Sequence, residues 1–284
     1  RGTPDLLPPM DQREGPKSRM DLARWLTQPS HPLTARVAVN RFWQQLFGVG
    51  LVKTSEDFGA QGEAPSHPKL LDFLSHEFVK SGWNVKELMR SIVLSKTYRQ
   101  SSYAPRQQYL ADPENRLLAR GARFRLDAEV FRDQILAVTG LLNLQLYGNS
   151  VKPPQPPGLW KIVAMPSSYP NEYQADDGEA IYRRSVYTFW KRGLPPPQMT
   201  ILDAPTRENC IARRERTNTP LQALLLMNEQ EYFRAAAHYA RSLLENSPTD
   251  GPRSRDEQHL SQAYERVTPR TPDPAPMSKA LAAV

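Results

Sequence analysis

The chain has 284 residues, 39% of them hydrophobic and 24% charged. It falls in the ordinary globular range, with apolar material for one large core or two modest ones. A single cysteine, Cys210, excludes an intrachain disulfide, a four-cysteine zinc site and a C-x-x-C-H haem attachment built from this chain by itself. The formal charge of +7 favours anionic partners, whether nucleic acid, acidic glycan, anionic lipid or acidic protein, without choosing among them.

Proline is abundant, with 27 residues against 14 glycines, so the loops are expected to be stiff and extended. The longest apolar run, Leu221 to Met227, is interrupted by Gln222 and is far short of the roughly 18 residues of a membrane span. Arg1 opens a polar stretch with Pro4, Pro8, Pro9, Gly15 and Pro16. Residues 1–18 therefore read as a linker, and the chain as a segment of a longer precursor.

Helical periodicity starts at Met20, with Leu22, Ala23, Trp25 and Leu26, and is stopped by Pro29. Pro32 opens a second helix whose apolar face carries Leu33, Val37, Phe42, Trp43, Leu46 and Phe47, ending at Gly48. Pro68 begins a third, with Leu70, Leu71, Phe73, Leu74 and Phe78 before Gly82. Asn84 caps a fourth, with Glu87 placed to reach back. His31 and His67 each precede a proline at a helix start, where an imidazole suits capping.

Asp127 is expected to cap a helix carrying Val130, Phe131, Ile135, Val138, Leu141 and Leu142, with Gly140 a weak point late in it. Residues 149–180 are too rich in proline for a helix interior and read as a long excursion. Ile181 to Trp190, rich in β-branched and aromatic residues, predicts the one strand. Thr219 and Pro220 open a helix running through Leu243, and Leu260 to Val267 predicts a last one before a proline-rich tail. The expected fold is mainly α: one multi-helix globular domain over 19–246 with a proline-rich excursion and a minor β-strand element, then a helix and tail over 247–284.

Several motifs stand in order along the chain: Met20 to Leu26 (MDLARWL), Asn40 to Trp43 (NRFW), Gly48 to Val52 (GVGLV), Asp57 to Gly59, Val151 to Trp160 (VKPPQPPGLW), Tyr182 to Arg192 (YRRSVYTFWKR) and Arg216 to Ala223 (RTNTPLQA). In these the chain resembles the cytochrome-associated domain of unknown function at the C-terminal end of large exported planctomycete proteins. The resemblance covers roughly residues 18 to 245. It implies an exported or periplasmic address and neighbouring domains in the same chain, one of them a haem-binding cytochrome module. It carries over no catalytic residue and places the haem ligands outside this segment, so no cofactor is expected here.

The most distinctive stretch is Arg183 to Arg216, which holds eight cations against three acids, a local net charge of +5. Arginine forks bind carboxylate, sulfate or phosphate, and interleaved aromatic rings stack on sugars. The candidate ligand-binding residues are Arg183, Arg184, Tyr187, Trp190, Arg192, Arg207, Arg213 and Arg214. Against this stands the plainer reading that the arginines pair with acids and the aromatics are core.

Asp203 and Glu208 are the weak catalytic candidates, ahead of Glu56 and Asp57, whose adjacency suits a loop. The five histidines lack ligand spacing, so no metal is expected, and Cys210 reads as a small packed residue. Trp160, after Pro156, Pro157 and Gly158, reads as a buried clasp more than as an open platform.

Two functions compete. The favoured one is a noncatalytic binding or assembly module that presents a basic-aromatic surface to an acidic glycan or a partner domain. The alternative is a hydrolase or lyase acting on anionic polysaccharide, with Asp203 or Glu208 as acid or base. Nucleic acid is disfavoured, since no recognition helix or zinc module is visible.

Overall fold

The computed structural model describes residues 3–10, 15, 17–163, 167, 170–246, 255–268, 270–274 and 277–278. Pro16 of the expected linker, Pro166 of the excursion and much of the proline-rich tail lie outside the described residues. The chain divides into two compact units, Arg1–Arg125 with Ile211–Arg213, and Leu126–Cys210 with Arg214–Val284.

In the first unit, α1 (Arg19–Leu26) begins with a capping box. Ser18 Oγ accepts the Asp21 N–H at 3.3 Å, and the Asp21 carboxylate accepts the Ser18 N–H at 2.8 Å. The helix α2 (Thr34–Phe47) starts where His31 Nδ1 accepts the N–H groups of Leu33 and Thr34, so this histidine caps as expected. It stops at Gly48, whose φ of 81° suits glycine and where a Cβ would lie 2.8 Å from the Phe124 ring. Pro68 opens α3 (Pro68–Lys80); the His67 side chain makes no cap there, its Nδ1 lying 3.1 Å from Ser66 Oγ.

In α4 (Val85–Val93), Asn84 Oδ1 accepts the Glu87 N–H at 3.1 Å. Two short helices follow, α5 (Lys96–Arg99) and α6 (Arg106–Ala111). Val39, Trp43 and Phe47 of α2 meet Leu71, Leu74 and Phe78 of α3 and Leu88 and Ile92 of α4 in one core. Phe73, expected in this stripe, is 60% exposed.

Polar side chains enter this core at Asn40 and Gln44. Asn40 acts as a one-residue strand partner for Val52. Its Oδ1 accepts the Val52 N–H at 2.9 Å, and its Nδ2 donates to the Val52 carbonyl at 3.0 Å. Ser55 Oγ closes the network by donating to Gln44 Oε1. A buried amide with its groups satisfied fixes the turn after α2, and the turn passes so close that a Cβ on Gly50 would lie 2.6 Å from Asn40 Nδ2.

The second unit contains α7 (Ala128–Thr139), α8 (Leu159–Val163), α9 (Pro197–Ile201), α10 (Pro220–Asn228), α11 (Gln230–Asn246) and α12 (Arg255–Val267). Three isolated bridges, Asn143 with Arg183, Val151 with Thr188 and Lys191 with Leu194, are the β pairing among the described residues. The fold is mainly helical, as expected, with three local departures.

Ile181 to Trp190 is no strand but 3-10 turns at Gly178–Tyr182 and Ser185–Tyr187. The helix expected from Pro220 through Leu243 is broken at Glu229 (φ −65°, ψ 122°). There the Glu229 carboxylate is pushed above its ordinary pKa by burial and by the Glu231 charge, against the N–H of Glu231 that it accepts. Gly140, with φ 80°, ends α7 and leaves Leu141 and Leu142 beyond it, while Asp127 makes no side-chain cap and turns its carboxylate to Arg216 at 3.3 Å.

The unit is tied together by a buried guanidinium. Arg132 of α7 is 1% exposed. Its Nε donates to both carboxylate oxygens of Glu231 on α11 at 3.0 Å, Nη1 to the Arg183 carbonyl at 3.0 Å, and Nη2 to the Ile181 carbonyl at 2.7 Å. Next to it, Asp133 accepts the Ser185 N–H at 2.7 Å. Two helices and the 181–185 segment thereby share one charged hub.

Two outcomes are expected. Asn40→Leu strips Val52 of both partners and should destabilise the first unit by about 3 kcal/mol, read by urea unfolding. Glu231→Gln strands a buried cation at a cost of about 3 kcal/mol, which should speed hydrogen exchange through α7 and α11 by roughly a hundredfold. Arg132→Met should do more, since it also strips the Ile181 and Arg183 carbonyls.

Candidate functional site

The basic-aromatic stretch is distributed to separate places. Arg183 is 5% exposed and grips the neighbouring loop from beneath. Its Nη1 donates to the Asn149 carbonyl at 3.0 Å, its Nη2 to the carbonyls of Gln145 and Tyr147, and its guanidinium lies 3.8 Å from the centre of the Tyr187 ring. Tyr187 in turn accepts the Tyr147 N–H on its hydroxyl at 2.8 Å. Arg183 and Tyr187 are therefore spent on holding residues 145–149, and Arg184 beside them is exposed.

Arg214 is paired. It donates to Glu129 at 2.6 Å and stands 3.7 Å from Asp127. Burial works against its charged form, but the hydrogen-bonded Glu129 and the nearby Asp127 outweigh it and hold its pKa above the ordinary value. Arg213 belongs to the first unit, where it lies 3.9 Å from Glu56. Lys191 donates to the Pro170 carbonyl and stands 5.1 Å over the Trp160 ring.

What is left open is a shelf at Trp190. The Arg207 guanidinium lies 4.1 Å over the centre of this ring, and Trp190 Nε1 donates to the Thr206 carbonyl at 3.4 Å. Trp190 packs its other parts against a small cluster of Ala128, Met199, Leu202 and Ala204, so the ring is anchored. Arg207 holds a φ of 65°, a conformation that costs a non-glycine residue of order 1 kcal/mol or more. Among the described residues neither Arg207 nor the exposed Arg192 makes an ion pair.

The candidate acids do not converge on this shelf. Asp203, with φ 62°, accepts the Thr217 N–H at 2.7 Å, the Thr217 hydroxyl at 2.9 Å and Gln222 Nε2 at 3.3 Å, which ties the end of α9 to the start of α10. Glu208 is exposed, and its N–H donates to Thr206 Oγ1 at 3.4 Å. In the first unit, Asp57 accepts the Gly59 N–H at 2.7 Å, a turn role. Cys210 is exposed rather than packed. Among the described residues no three His, Cys, Asp or Glu side chains gather as a metal site.

Within the proline-rich excursion, Pro153, Gln155, Trp160 and Tyr173 form a clasp. Trp160 is 5% exposed and donates from Nε1 to Gln155 Oε1 at 3.0 Å, with its ring 5.3 Å from Tyr173. Tyr173 donates its hydroxyl to the Pro153 carbonyl at 2.6 Å. Burial first, and then the Asp176 and Glu231 charges, push its phenol far above the ordinary value, so it stays a donor. Sequence reasoning named neither Tyr173 nor Arg132, since neither belongs to a periodic apolar pattern.

If Asp203 serves as this backbone tie, Asp203→Ala should destabilise the second unit by about 2 kcal/mol in thermal unfolding. Asp203→Asn, which keeps an acceptor, should cost clearly less.

No curated protein and no solved structure matches this chain. One family model does, PSD1, described as "Protein of unknown function (DUF1553)", and it aligns with residues 18–284. With nearly its whole length matched, the chain belongs to the PSD1 family of proteins of unknown function.

Proposed function

We propose that this domain is a noncatalytic binding or assembly module that engages an acidic glycan through the shelf formed by Trp190 and Arg207, with Arg192 contributing charge. The observation that carries the reading is the stacked pair itself: a guanidinium 4.1 Å over an anchored indole, in a left-handed backbone conformation, with no acid to neutralise it among the described residues. The indole holds the guanidinium in place from one side, and a guanidinium fork suits the carboxylate or sulfate of an acidic glycan. Binding is favoured over hydrolysis because the oxygens of Asp203 are taken up by Thr217 and Gln222, while Glu208 is exposed on the surface.

The setting belongs to the same proposal. The motif resemblance supports a place in a larger exported, cytochrome-containing protein, with a neighbouring domain of the same chain as the competing partner.

The test is titration calorimetry with heparin and with alginate at low and moderate salt. Binding should weaken as salt rises, and Arg207→Ala and Trp190→Ala should each lower affinity about tenfold, while Arg192→Ala should cost about threefold. Unchanged affinity in Arg207→Ala and Trp190→Ala, with the fold intact by circular dichroism, removes the shelf as the site. Absence of binding to both polymers removes the glycan and leaves the neighbouring domain as the ligand to assay.

A further inference from the structure

The loop held by Arg183 presents a surface that folding does not account for. Its backbone is fixed at three carbonyls by the Arg183 guanidinium and at the Tyr147 N–H by the Tyr187 hydroxyl. Both its flanks are pinned by parallel bridges, Asn143 with Arg183 and Val151 with Thr188, so residues 143–151 run alongside 183–188. Tyr147 is held at φ 65° and followed by Gly148 at φ 87°. Yet the side chains set out by this rigid frame are apolar and in water: Leu144 is 67% exposed, Leu146 54%, Tyr147 81%, and Val186 on the adjoining turn 68%.

A braced loop of this kind has inverted the usual arrangement. The cation lies beneath it and the leucines lie above, and the conformational entropy of ordering the loop has already been spent in the free protein. Together the four side chains expose on the order of 500 Å2, within the range of the largest apolar patch on a monomer, which is often functional. Leu144 and Leu146 stand two residues apart and are both exposed, and Tyr147 follows them with an apolar ring and a polar tip. Exposed Arg184 stands on the segment paired to the loop, and among the described residues it makes no ion pair.

We infer that this loop docks on an anionic bilayer surface, with Leu144 and Leu146 entering the acyl boundary, Tyr147 at the level of the headgroups and Arg184 against lipid phosphate. Exposed leucines together with positive charge point to this occupant. The chain carries +7, an anionic bilayer attracts it as a whole, and shallow apolar insertion needs no matching pocket. The mode is shallow insertion by a loop; among the described residues no helix is long and apolar enough to cross a membrane. The inference goes beyond the glycan reading, and its apolar residues are not those of the Trp190 shelf.

The experiment is co-sedimentation of the chain with vesicles of phosphatidylcholine mixed with phosphatidylglycerol, beside vesicles of phosphatidylcholine alone. Wild type should partition onto the anionic vesicles at least tenfold more strongly than onto the neutral ones. Leu146→Asp should reduce that partitioning about tenfold, Leu144→Asp likewise, and Arg184→Ala about threefold. Arg207→Ala should weaken vesicle binding far less than Leu146→Asp does, and Leu146→Asp should weaken heparin binding far less than Arg207→Ala does, so each reading can fail by itself. Partitioning that survives both aspartate substitutions, with the fold intact, would reduce the effect to general charge adsorption and overturn the inference, as would absence of binding to either vesicle.

Discussion

In the second unit one guanidinium removed from water, that of Arg132, finds an acceptor for each of its nitrogens, and this arrangement organises the rest. Arg132 draws Glu231 from α11 and the carbonyls of Ile181 and Arg183 onto α7. Because a buried ion pair gains little over well-packed apolar residues, its contribution is one of placement more than of net stability. The main-chain groups it and Asp133 occupy are those a β ladder would have used. That is why a segment with strand composition is folded into 3-10 turns.

From that hub the two surfaces of the unit diverge. Fixing the carbonyls of Ile181 and Arg183 sends the Arg183 side chain under the neighbouring loop, where it meets three carbonyls and the Tyr187 ring. A few residues on, Trp190 reaches the cluster of Ala128, Met199, Leu202 and Ala204 and offers its free face to Arg207. Arginines adjacent in sequence thus serve opposite ends. One is consumed in structure, and its neighbour Arg184 is left to solvent. The sequence-level picture of a single shared platform dissolves because charge and aromaticity say nothing about which side chain a backbone turn will bury.

Much of the helical framework was legible. Asn84 and Thr219 sit where cap chemistry demands, and Pro68 and Pro220 open the helices they were expected to open, whereas the Ser18 cap falls in what reads as linker. These signals are local, so a window of a few residues contains them. The misses share the opposite property. Asp127 gives up its cap because Arg214 and Arg216, distant in sequence, claim its carboxylate. The break at Glu229 interrupts a continuous apolar pattern, and Arg132 and Asn40 are polar side chains that a search for apolar periodicity passes over. Of the candidate site, the right segment was visible from its composition, while the pairing of Trp190 with Arg207, 17 positions apart, was not.

The attachment of α10 has a consequence of its own. Its one fully buried residue is Gln222, which donates to the Ile201 carbonyl at 3.0 Å and to Thr217 and Asp203, while Leu221, Leu224 and Met227 stand more than half exposed. Hydrogen bonds are directional and rupture over a short distance, whereas apolar packing resists separation over a broader one. A helix moored chiefly by an amide, with Leu225 reaching the small cluster, is set in orientation but lightly in depth. Its seat therefore depends on the geometry of three acceptors, the Ile201 carbonyl and the Thr217 and Asp203 side chains, more than on buried apolar area.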